Sequence, residues 1–152
     1  MMEAFVRQNY ETLRRFAAVV APWDVEPDDV LHAVLLRVLR RGNLSSLDDP
    51  VAYVRRAIVN HVRSEFRRNG TRRRTMSRLR SERAEVHAPS YPSDLDDLLS
   101  LRPVERAVLY LHDVEGYTFE EVAEVVGVKP GNARVMASRA RGQLRQELEE
   151  RT

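Results

Sequence analysis

The chain has no cysteine. That excludes a disulfide framework and a thiolate metal site, and it fits a reducing cytosol. It also lacks long apolar runs: no stretch is long enough to span a bilayer, and the amino-terminal MMEAFVRQNYETLRRF is amphipathic and acid-bearing where a signal peptide has a continuous apolar core. A soluble, cytoplasmic protein without membrane insertion is expected. Lysine is almost missing, since Lys129 is the single one among 25 basic residues. A GC-rich genome explains that bias as readily as function does. The histidines His32, His61, His87 and His112 are scattered, with no HExxH spacing, no Ser or Cys nucleophile context and no Gly-rich phosphate loop. No enzyme activity, metal or cofactor is expected.

A chain of 152 residues makes one domain or two small ones. The net charge of +2 says little, but its distribution says more. Arg63, Arg67, Arg68, Arg72, Arg73, Arg74, Arg78, Arg80 and Arg83 form a run opposed only by Glu65 and Glu82. Such a run is an electrostatic footprint for nucleic acid, or else a solvated tether, and the following AEVHAPSYPSD has the Pro and Ser content of a flexible segment. The chain therefore divides into residues 1–70, a basic and Pro/Ser-rich linker over 71–93, and residues 94–152.

Both halves read all-α, with no internal repeat. Phe5, Leu13, Phe16, Ala17 and Val20 suggest an opening helix broken at Pro22 and Trp23. Pro27 starts a second, with Asp28 and Asp29 favourable to its dipole, Val30, Leu31, Val34, Leu35, Val38 and Leu39 along it, and Gly42 and Asn43 at its end. After a polar loop, Asp49 and Pro50 open a third helix carrying Val51, Val54, Ala57, Ile58, Val62 and Phe66. Three helices without a strand pattern make a small bundle. In the second half Ser93 caps a short helix through Leu99, and Pro103 starts another through His112.

The segment Thr118 to Leu144 is the most telling. Thr118 and Glu121 have capping-box spacing, and Phe119, Val122, Ala123 and Val126 make one apolar face. Gly127 suits a left-handed helix end, Val128 plugs the turn, and Pro130 suits the first position of a new helix. That helix carries Ala133, Ala137, Ala140 and Leu144 on one stripe and Arg134, Ser138, Arg141 and Arg145 on another, flanked by Arg139. Small inward residues permit close packing, and an outward Arg face suits a DNA groove, where the guanidinium fork donates twice to guanine or to phosphate. A helix pair with a solvated Arg face is the plainer alternative.

The ordered blocks DDVLHAVLLRVLRR, DDPVAYVRRAIVNHVRSEFRR, an Arg-rich link, and SLRPVERAVLYLHDVEGYTFEEVAEVVGVKPGNARVMASRARGQLR resemble the extracytoplasmic-function group of bacterial sigma factors, actinobacterial members in particular, over nearly the whole chain. The resemblance implies a three-helix sigma region 2 bundle and a four-helix region 4 with a helix-turn-helix, joined by a flexible linker. It also implies partners: the clamp helices of the largest subunit of core RNA polymerase, promoter DNA, and an anti-sigma factor. Carried over by position, it puts core binding on Asp28, Asp29, Leu31, His32, Leu35, Leu36 and Arg37. It puts minus-10 recognition on Asn43, Ser45, Ser46, Arg55, Arg56, Asn60, Arg63, Arg67 and Arg68, where a polar loop captures a flipped base by its exposed edge. Minus-35 contact falls on Arg134, Val135, Ser138, Arg139 and Arg141, with His112 where relatives hold a phosphate-contacting Arg. The chain departs from the family pattern at His32-Ala33, commonly Gln-Glu, and at Val135-Met136, which are often polar or basic.

Two other functions are compatible with these residues: a stand-alone helix-turn-helix regulator, usually a dimer on a palindrome, and a sigma-like interaction module without promoter activity. No coiled-coil heptad or evident ligand domain supports the first, while the departures at His32-Ala33 and Val135-Met136 keep the second open.

Overall fold

In the computed structural model, which describes residues 2–42, 44–68 and 100–151, four of the six helices begin on a proline. Proline lacks the N–H that would go unsatisfied at that position, and its fixed φ is already helical. The helices are α1 (Met2–Val20), α2 (Pro27–Arg41), α3 (Pro50–Arg68), α4 (Pro103–Leu109), α5 (Phe119–Val126) and α6 (Pro130–Arg151). Glycine ends two of them: Gly42 closes α2 at φ +71° with its N–H on the Val38 carbonyl, and Gly127 closes α5 at φ +74° with its N–H on that of Ala123. The left-handed conformation costs glycine nothing because it has no Cβ. Asp49 Oδ1 accepts from the Ala52 N–H at 3.1 Å and so begins α3 as its sequence anticipates.

Two local features sit between these elements. A single 3₁₀ turn, Leu44–Ser46, follows α2, with Leu44 buried in the core. Later in the chain α4 runs on into a π turn, Tyr110–Val114, closed by Glu115 N–H to Tyr110 O at 3.0 Å and followed by Tyr117 N–H to Leu111 O at 2.9 Å. The wider turn re-aims the chain that leaves it, and Glu115 and Tyr117 are the residues delivered.

Helices α1, α2 and α3 pack on one another as a three-helix bundle, and α4, α5 and α6 form a second group. The expected short helix over 93–99 and the linker over 71–93, with Arg72, Arg73, Arg74, Arg78, Arg80, Arg83 and His87, lie outside the described residues. The two groups are in contact: α1 and α3 meet α4, and α3 also meets α5. One apolar cluster runs through both, from Leu13, Phe16 and Ile58 to Val108, Leu111 and Val126. Val19 and Val59, off the apolar stripes read from the sequence, are buried too, as helices covered on more than one side require.

Two arginines cross the seam between the groups. Arg106 of α4 is 1% exposed and donates through Nη1 to Ala21 O and through Nη2 to Val20 O, both at 3.1 Å. It thereby caps α1, whose own last turn has no basic residue. Arg55 of α3, also 1% exposed, makes a two-pronged ion pair with Glu115, Nη1 to Oε2 and Nη2 to Oε1, each 2.7 Å. Its Nη1 also donates to the Tyr117 hydroxyl at 2.9 Å, and its guanidinium lies 5.2 Å from the centre of the Phe16 ring.

Candidate nucleic-acid interface

The helix-turn-helix forms through the local chemistry its sequence shows. Thr118 Oγ1 accepts from the Glu121 N–H at 3.1 Å, and Glu121 Oε1 accepts from the Thr118 N–H at 3.0 Å. These reciprocal bonds satisfy two amide donors at the start of α5. Val122, Ala123, Val125 and Val126 are buried, and on α6 Ala133, Ala137 and Ala140 are wholly so. Three alanines let α6 approach closely and turn Arg134, Val135, Ser138 and Arg139 out to solvent, with Arg141 half-buried beside them. Val135 is 47% exposed, an apolar contact available for a thymine methyl.

Not every residue of that face is unengaged. Arg134 donates through Nη2 to Glu120 Oε1 at 2.9 Å and lies 5.6 Å from the centre of the Phe119 ring. Arg141 grips Asp113 with two donors, Nε to Oδ2 at 3.0 Å among them, and the bond raises the guanidinium's already high pKa. His112 is stacked on Phe119 with ring centres 3.9 Å apart, and its Nδ1 is 2.8 Å from the Tyr117 carbonyl. A carbonyl only accepts, so this nitrogen carries the proton and faces the protein. His112 thus props Phe119 with its ring face and is itself fixed to the Tyr117 carbonyl by this nitrogen.

On α3, Arg56, Asn60 and Arg67 are exposed and Arg63 is half-buried. Their spacing, i, i+4, i+7 and i+11, places the four on one face, and Arg68 is exposed beyond them. This face meets the turn of the helix-turn-helix: Arg63 Nη1 donates to Val126 O at 3.4 Å, and the Arg56 guanidinium comes within 3.8 Å of where a Cβ on Gly127 would stand. Both cations thereby sit at the negative end of the α5 dipole. Arg55 corrects its sequence placement: it is not on this surface but locked inside on Glu115. The signal was present, because Arg55 falls in register with Val51, Val54, Ile58 and Val62 along the apolar face. In the expected base-capture loop, Asn43 and the Ser45 side chain lie outside the described residues, and Ser46 is exposed.

Helix α2 presents a separate surface. Leu31 and Leu35, expected to meet a partner, are instead in the core. Asp28, Asp29, His32, Leu36 and Leu39 come round on the opposite face, where Leu36 is 56% and Leu39 41% exposed. Leu39 was expected within the apolar stripe and lies outside it. Arg37 is exposed and its Nη2 is 3.5 Å from His61 Nδ1. Asp28 accepts from the Tyr10 hydroxyl at 2.8 Å and from Arg14 Nε at 3.0 Å, and the same hydroxyl is 3.1 Å from His32 Nε2.

The Tyr10 hydrogen bond, partly opposed by burial and reinforced by Arg14, holds the Asp28 carboxyl below the usual aspartate range. A pKa lower in the folded than in the unfolded chain gives stability that is present above the unfolded value, about 4, and lost as pH falls through the folded one. Asp28→Asn is therefore expected to lower Tm at neutral pH, with the gap to the parent closing below about pH 4. Thermal melts across pH check it; a gap that does not narrow rejects the linkage.

Among the described residues no helix is long and apolar enough to cross a membrane, and no group of His, Asp and Glu is arranged to hold a metal. The Sigma-70, region 4 family matches residues 98–144, which span α4, α5 and most of α6. The RNA polymerase sigma-E factor of Streptomyces avermitilis is 30% identical, the match covering 98% of this chain and 86% of that protein. The RNA polymerase sigma factor CarQ of Myxococcus xanthus is 30% identical over 81% of this chain and 75% of its own. In architecture the chain is similar to the sigma factor RpoE of Bartonella quintana, solved with the anti-sigma factor NepR, at a TM-score of 0.70 and 19% identity over 97% of this chain and 96% of that one. Its helices, its helix-turn-helix and its near full-length match to a sigma-E factor agree: the chain belongs to the extracytoplasmic-function group of RNA polymerase sigma factors.

Proposed function

We propose that the chain directs core RNA polymerase to promoters by dividing their recognition between its two helical groups. The observation that carries this reading is the outward Arg134, Ser138, Arg139 and Arg141 face of α6, set in a helix-turn-helix at the end of a chain akin to sigma-E factors along almost its whole length. That face, with Val135, takes the minus-35 duplex. His112 supports it from behind through Phe119. The loop holding Ser45 and Ser46, with Asn43 before it, receives a base flipped from the minus-10 element, and Arg56, Asn60, Arg63, Arg67 and Arg68 follow the adjoining backbone. Core polymerase docks on Asp28, Asp29, His32, Leu36, Arg37 and Leu39 of α2, an exposed apolar pair ringed by charge.

The arrangement of the free chain accounts for why promoter use depends on polymerase. Arg56 and Arg63 are turned onto the end of α5, so the α3 face and the helix-turn-helix cover part of one another. Docking on polymerase separates them and holds each near its own element, giving two weak DNA modules a high effective concentration. An anti-sigma factor that favours the closed form keeps the subunit inactive.

Runoff transcription with purified core polymerase across a promoter library tests this directly. Initiation from a defined subset of promoters, absent with core alone, is the expected result. Duplex binding without core and no initiation points to a stand-alone regulator, and neither activity points to an interaction module.

A further inference from the structure

The helix-turn-helix holds two of its groove-facing arginines on acids from outside α6, and these acids have no part in the reading above. Glu120, second residue of α5, holds Arg134 Nη2 at 2.9 Å, and Asp113 of the π turn holds both Nε and Nη2 of Arg141. The anchors come from different elements and engage the two guanidinium groups seven residues apart on one helical face. Phe119 adds a third restraint, lying under the Arg134 guanidinium while it is itself stacked on His112. The chain His112, Phe119, Arg134, Glu120 is thus a continuous set of contacts that ends at a base-reading side chain.

We infer that Glu120 and Asp113 are positioning residues for promoter specificity, restraining the Arg134 and Arg141 forks and withholding their charge from DNA phosphate. This rests on α6 being the minus-35 reader. The chemistry follows from the geometry. A guanidinium has five N–H donors, so binding a carboxylate on one or two leaves others for a base edge. An arginine free to sweep its full rotamer range meets phosphate first, because phosphate surrounds every site whatever its sequence. An acid beside the arginine offsets that attraction on every sequence, whereas a correctly placed guanine, with two acceptors in line, still competes. The acids therefore weaken binding to all DNA and weaken it least on the right sequence. Both pairs are partly exposed, so each contributes modestly and the effect appears as selectivity rather than as folding.

The test uses the full chain with core polymerase. Holoenzyme is selected on a duplex library randomised at the upstream element, and the most enriched duplex and the unselected pool then serve as the two probes. Relative to the parent, Glu120→Gln and Asp113→Asn are expected to bind the pool more tightly. They are also expected to steepen the dependence of log K on log salt by up to about one for each arginine released. Discrimination between enriched duplex and pool is expected to fall roughly two- to five-fold per pair. A merely structural role for the acids would weaken both probes alike and leave the salt slope where it was. Arg134→Ala and Arg141→Ala separate the two levels. If they weaken discrimination while the acid variants change neither slope nor selectivity, the positioning role is overturned and minus-35 reading stands. If the arginine variants leave discrimination unchanged, minus-35 reading by this face fails, and the positioning role with it.

Discussion

Arg106→Ala is expected to lower the unfolding free energy by about 2–4 kcal/mol, because two charge-assisted hydrogen bonds are lost and their acceptors stay buried. The acceptors are the Val20 and Ala21 carbonyls at the end of α1, where a helix leaves its last carbonyls without intrahelical partners. Each is a normal 3.1 Å bond, and the cation also meets the negative end of the α1 dipole. Alanine leaves both carbonyls in a water-poor seam and removes a long side chain from it. Urea unfolding followed by circular dichroism checks the magnitude. Arg106→Lys should recover only part of the loss, since a single ammonium lacks the planar fork that reaches two carbonyls at once. A midpoint equal to the parent's would mean that water or a rearranged neighbour caps α1 just as well. Because Arg106 joins the two helical groups, the variant's transition should also broaden as their unfolding becomes less coupled.

Glu115→Ala is expected to open the chain rather than unfold it. Removing one partner of a buried ion pair typically costs 3–5 kcal/mol, because the other charge is left uncompensated. Among the described residues the Arg55 guanidinium would then keep the Tyr117 hydroxyl and the Phe16 and Tyr117 rings. A cheaper escape exists, since the pair straddles the seam between α3 and the end of the π turn. Parting the two groups returns Arg55 to water, so the cost is limited to the free energy of opening. The expected result is a shift of the population toward a longer separation between α2 and α6. The absence of cysteine makes this measurable, as two introduced cysteines, one on each helix, take fluorescent labels without competition. The double substitution Arg55→Met with Glu115→Leu should restore the short separation, because it removes both charges and keeps the volume. A distance distribution unchanged by Glu115→Ala would show that the apolar seam alone holds the groups together.

These expectations depend on contacts that differ greatly in how openly the sequence declares them. Thr118 and Glu121 are three residues apart, and the capping box they form needs nothing beyond their own turn. Gly42 and Gly127 announce helix ends, Pro27, Pro50, Pro103 and Pro130 announce starts, and Ala133, Ala137 and Ala140 announce a close packing face. The partners of Arg55 and Arg106 lie 60 to 86 positions away, and no local rule selects them. An arginine in a helix reads as solvated by default. For Arg55 the register with Val54, Ile58 and Val62 contradicted that default, whereas resemblance to a DNA-facing helix supported it. Leu31, Leu35 and Leu39 show a smaller version of the same limit. All are apolar and all belong to α2, but only the placing of α1 and α3 decides that the first two are covered and the third is not.

By itself, then, the sequence determined most of the described helices, their proline starts and glycine ends, and the helix-turn-helix, because these follow from backbone chemistry and periodicity within a few residues, while the family was legible from the resemblance of its ordered blocks along the chain. Only the tertiary structure decided that the two groups close on one core, that Arg55 serves the seam, and that Arg134 and Arg141 are held by Glu120 and Asp113. The physical reason is that a charged side chain declares its charge in the sequence, but its partner, and so its role, is set by which distant helix the fold brings beside it.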